Sequence, residues 1–101
     1  MNDAISPTLT PRRADALEVR EVPDGFVVYD PARDRLHFLN GTAAFVLESC
    51  DGATSVQALP GLVAAAFRLD AEPVEEVGTC VQRLLSEGLL VAAPQAAGKP
   101  V

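Results

Sequence analysis

At 101 residues and a formal net charge of −6, the chain is sized for one domain and too acidic for a nucleic-acid partner, whose phosphates demand clustered Lys and Arg. Its two cysteines, Cys50 and Cys80, fall short of a disulfide-dense secreted scaffold, and Met1 is not followed by the basic and then apolar run of a signal peptide, so a reduced, cytoplasmic protein is expected. No apolar run approaches the ~20 residues that span a bilayer, which predicts a soluble protein with no membrane partner.

Residues 1–15 carry Pro7, Pro11 and the pair Arg12-Arg13 without an apolar period to anchor them, and they are expected to form a disordered tail. The domain proper is expected over residues 16–91. From Ala16 to Val22, Leu17, Val19 and Val22 interleave with charged residues, the pattern of a strand with one wet face. Pro23-Asp24-Gly25 turns the chain into a second strand, Phe26 to Tyr29, and Asp30 to Asp34 has the chemistry of a second turn. Arg35 to Leu39 completes an antiparallel meander. No later strand of comparable quality follows, so one edge of this third strand is expected to stay open.

At Asn40 the period changes from about two to about 3.6. Asn40 is a good N-cap for a short helix with Ala43, Ala44, Val46 and Leu47 on its apolar face, ended by Asp51-Gly52. Thr54 to Gln57 has the spacing of a capping box, which predicts a second helix to about Arg68, with Pro60 either kinking it near Leu59 or marking its true start. Asp70 is placed to cap a third and longest helix, with Pro73 in its first turn and Val74, Val77, Val81, Leu84 and Leu85 at helical spacing down to Gly88. Leu89 to Val91 are expected to lie extended on the core, and residues 92–101 to form a flexible tail. The fold class is therefore α+β, a three-stranded antiparallel sheet followed by three helices.

His37 is the only histidine, which leaves no Ser/His/Asp or Cys/His arrangement and too few N or S ligands for zinc. Cys50 and Cys80 are thirty positions apart, with no Cys-x-x-Cys motif, and are read as structural thiols. No glycine-rich phosphate loop follows a strand, and Glu72, Glu75 and Glu76 suit the dipole of a helix start. No catalytic residue, metal site or cofactor is assigned, and the chain is not expected to be an enzyme.

Taken together, Val27-Val28-Tyr29-Asp30, Leu36 to Asn40 with Thr42-Ala43-Ala44, Cys50-Asp51-Gly52 with Ser55-Val56, and Glu76-Val77 with Cys80-Val81, Leu84 and Gly88-Leu89-Leu90 resemble the PqqD-like family over about residues 17–91. The resemblance implies a winged helix-turn-helix-like fold and a role as a peptide chaperone, a recognition element for the leader of a ribosomally made, modified peptide. It further implies that the leader adds as a strand to Arg35, Leu36, His37, Phe38 and Leu39 and lies against the third helix at Val77, Cys80, Val81 and Leu84. Cys80 stands where the family often carries an aromatic. The implied partners are a precursor peptide and a separate modifying enzyme, most often a radical S-adenosylmethionine protein, whose iron–sulfur cysteines this chain lacks.

The strand-addition mode is also physically sound, because an edge strand offers unpaired N–H and C=O groups that an extended peptide satisfies. Two other readings compete with it. A winged-helix DNA-binding regulator would insert the third helix into a major groove, yet that segment carries Glu72, Glu75, Glu76 and Glu87 against Arg83 alone. A structural or dimerisation module would use the same open edge to pair with a second copy, so the chain is expected to be a monomer or a weak homodimer.

Overall fold

A computed structural model describes residues 7–92. Its central sheet is the expected meander, formed by β2 (Glu18–Val22), β3 (Gly25–Asp30) and β4 (Arg35–Leu39), which follow a short β1 (Arg12–Arg13). Phe26 opposes Leu39 and Val28 opposes His37 in the β3–β4 register, so the period of two sends Val28, His37 and Leu39 to one face and Val27, Tyr29, Leu36 and Phe38 to the other. The first face is covered, with Val28 0% and Leu39 1% exposed, whereas Leu36 and Phe38 remain 70% and 53% exposed. Gly25 makes the β2–β3 turn with φ +154°, and a Cβ there would sit 2.6 Å from the carbonyl oxygen of Leu39. At the β3–β4 turn the buried carboxylate of Asp30 accepts from the Ala32 N–H at 3.1 Å, while Tyr29 donates its hydroxyl hydrogen to Asp34 at 2.8 Å.

Three helices then cover the inner face. In α1 (Gly41–Ser49), Asn40 caps as expected, its side-chain oxygen accepting from the Ala43 N–H at 2.8 Å. The next helix takes the second of its two expected starts, at Pro60, and leaves the capping box unused. Ser55 precedes a 3-10 turn at Val56–Ala58 without a side-chain cap bond, and α2 runs only over Leu59–Phe67, with Pro60 in its first turn, where its missing N–H costs nothing. The capping box is unused because Asp51 takes the Ala53 and Thr54 N–H groups, both at 2.9 Å, and the Gln57 N–H reaches the carbonyl of Pro7 at 3.0 Å. Likewise α3 covers Val74–Ser86 with Pro73, not Asp70, at its N-cap. Val77, Val81 and Leu84 are at most 1% exposed, each contributing about 1.5–3 kcal/mol through burial.

The N-terminal segment corrects a further expectation. Residues 7–15 are not a free tail: β1 pairs antiparallel with β5 (Leu90–Val91), Arg13 and Ala14 donate to the carbonyls of Cys50 and Leu89, and Leu9 and Pro11 accept from Val56 and Gly52. Arg13 also forms an ion pair with Glu48. The signal was weak because this strap is held mainly by backbone bonds, an Arg13 charge pair and the scattered burial of Pro11 and Ala14, which leave no apolar period. Residues 1–6 and 93–101, the remainder of the two expected tails, lie outside the described residues.

Candidate functional site

Among the described residues β4 pairs with β3 alone, so the N–H and C=O groups along its other side form an open edge. Between the end of this strand, the first turn of α1 and the flank of α3 lies a cleft of about 170 Å³. Leu39, Ala43, Cys80 and Leu84 give it apolar walls, and Asn40, Thr42, Glu76, Thr79 and Arg83 give it a polar rim. A strand laid along β4 would run past this cleft with alternate side chains turned toward α3.

Eight of the nine site residues inferred from sequence divide into three sets, and His37 stands apart from them. Leu39, Cys80 and Leu84 meet in the cleft. Leu36 and Phe38 are on the outer face of the sheet, away from the helices, and Arg35 is exposed at the start of the strand. Val77 and Val81 are fully buried at 0% exposure, so they support the wall from beneath and present nothing to a ligand. The helical wheel explains the division, because Glu76, Cys80 and Arg83 form the stripe beside the core stripe of Val77, Val81 and Leu84. Sequence reasoning placed Glu76 at the helix start and gave Arg83 no place in the site. The spacing i, i+4, i+7 that links them through Cys80 was the available signal for their place on the rim.

His37 faces inward, its side chain only 6% exposed, with Nδ1 3.4 Å from Oε1 of Glu87 at the end of α3. This close contact is longer than a good charge-assisted bond, and both His37 Nε2 and Glu87 Oε1 are buried without a hydrogen-bond partner among the described residues. The other carboxylate oxygen of Glu87 lies 3.6 Å from Nε of Arg83. Arg83, Glu87 and His37 thus form a chain of polar contacts from the rim of the cleft to the helix-facing side of β4.

Nothing in this arrangement activates a nucleophile. Burial pushes the Cys80 thiol up despite the opposing pull of Arg83, and burial, with smaller help from Asp51 and Cys80, pushes Cys50 up to about 12. Both are free thiols in their neutral form at ordinary pH, and Cys80 acts as apolar wall. No group of three or more His, Cys, Asp or Glu side chains able to hold a metal occurs among the described residues.

The family model described as coenzyme PQQ synthesis protein D (PqqD) matches residues 25–90, from the start of β3 through the three helices to the first residue of β5. No curated protein matches the chain significantly. Among solved structures the chain is similar to a lasso peptide synthetase B1 complexed with the leader peptide, at 21% identity and a TM-score of 0.60, over 81% of this chain and 98% of that one. At this identity the likeness is one of fold.

Proposed function

The chain belongs to the PqqD family, and we propose that it is a stand-alone recognition element that binds the leader of a ribosomally made precursor peptide and presents it to a separate modifying enzyme. The observation that carries this reading is the open edge of β4 running beside the α3 cleft, in a fold shared with a synthetase subunit whose structure contains a leader peptide. The backbone of Arg35 to Leu39 supplies the hydrogen bonds, Leu39, Cys80 and Leu84 receive an apolar leader side chain, and Val77 and Val81 hold α3 in place from within. The bond-making chemistry belongs to the partner, for which a radical S-adenosylmethionine enzyme is the family's usual choice. In this reading the domain works in the cytoplasm as a monomer or a weak homodimer. No described helix is long and apolar enough to cross a membrane.

The test is calorimetric titration of the full chain with a synthetic leader peptide of its cognate precursor. Binding is expected to weaken at least tenfold in Cys80→Asp, which puts an unpaired carboxylate on the apolar wall. Circular dichroism first establishes that the variant folds. Equal affinity of the folded variant and the parent contradicts the reading.

A further inference from the structure

The sheet has a second open edge. Among the described residues β2 pairs with β3 alone, so the backbone on its far side is as available to an added strand as that of β4. Beneath it, between the helix-facing side of β2 and β3 and the flank of α1, is a cavity of about 310 Å³ lined by Val19, Phe26, Ala44, Phe45 and Phe67, with Glu48 as its charged member. Phe45 and Phe67 meet edge to face with centroids 5.7 Å apart, and Phe67 at the end of α2 is 42% exposed. A half-exposed aromatic beside an apolar cavity and an unpaired strand is a surface that water covers poorly.

The charge around this cavity is mainly acidic, although Arg13 offsets part of it at Glu48. Glu21 opposes Phe26 in the register and so shares its face, Glu48 lines the cavity itself, and both are exposed. Arg13 already pairs with Glu48. Arg20 lies between Val19 and Glu21 and by strand alternation projects to the opposite face, and Arg68, though next in the chain after Phe67, is outside the lining.

We propose that the β2 edge and this cavity are a second docking site, taken by an extended segment of the modifying enzyme that carries one large apolar side chain flanked by lysine or arginine. The proposal rests on the leader-recognition reading above. The added strand satisfies the open backbone of β2, its central side chain fills the space beside Phe45 and Phe67, and its basic neighbours meet Glu21 and Glu48. Because β3 separates β2 from β4, enzyme and leader occupy opposite edges of one small sheet and do not compete.

The probe is acetyl-Lys-Val-Phe-Val-Lys-amide, titrated into the ¹⁵N-labelled full chain, with acetyl-Glu-Val-Phe-Val-Glu-amide as its charge-reversed twin. Saturable amide shifts are expected at Val19, Phe45 and Phe67, with at least fivefold weaker binding of the acidic twin. Phe67→Ser and the surface double variant Glu21→Gln/Glu48→Gln should each weaken the lysine peptide at least fivefold. The double variant keeps the test decisive if Phe67→Ser fails to fold. Shifts confined to β4 and α3, equal affinity for the two peptides, or an affinity unchanged in the double variant would overturn the proposal. The two sites fail separately, since loss of leader binding in Cys80→Asp reports on the α3 cleft and leaves the lysine-peptide result at β2 untouched.

Discussion

Two polar side chains fix the chain at its bends and make separate predictions. Asn40 supplies the side-chain cap bond of α1, so Asn40→Ala should lower stability by about 1 kcal/mol in urea unfolding, and an unchanged midpoint would mean that the cap is dispensable. Asp51 accepts from two backbone N–H groups, and these bonds hold its carboxyl below the usual range. A lowered folded value means that this contribution is complete above the unfolded value of about 3.9 and disappears as pH falls through the lowered one. Asp51→Ala should therefore melt below the parent at pH 7, with the gap closing on acidification; a gap independent of pH would contradict this assignment. Asn40 was legible in the sequence because capping depends on one residue and its two neighbouring turns. The inward burial of His37 against Glu87 was not, since it depends on where the end of α3 falls relative to β4, a relation fifty positions apart in the chain.

At the level of elements, β4 and α1 were readable almost to the residue, because a change of period and a cap coincide at Asn40. Pro60 marks the start of α2 because proline suits a first turn, whereas the capping box at Thr54 loses to tertiary bonds and α3 starts after Asp70, with Pro73 at its N-cap. Gly78 lies inside α3, and nothing is within 4 Å of a Cβ built there. Gly78→Ala should therefore stabilise the protein by up to ~1 kcal/mol through helix propensity alone, and a loss of stability on denaturant unfolding would show that the helix is crowded at this position. The N-terminal strap makes a further prediction. The amides of Arg13, Ala14, Gly52 and Val56 all donate across it, and should exchange with solvent deuterium far more slowly than those of a free tail. Exchange at the free-chain rate would place the strap off the core.

The whole molecule is a three-stranded sheet with helices on one face, open at both edges and exposing Leu36 and Phe38 on its other face. Its candidate site was legible in part. The open edge followed from the absence of a later strong strand, whereas the cleft required the packing of α3 against β4, which alone separates Cys80 at the wall from Val77 and Val81 in the core. Backbone pairing is the part of the mechanism that side-chain substitution leaves intact, and it is best observed directly. Hydrogen exchange of the full chain, free and saturated with its cognate leader peptide, measures it residue by residue. The account predicts that the edge-facing amides within Arg35 to Leu39 gain protection on leader binding while those of β2 do not. Protection gained at β2, or at neither edge, would contradict the assignment of β4 as the leader-binding strand.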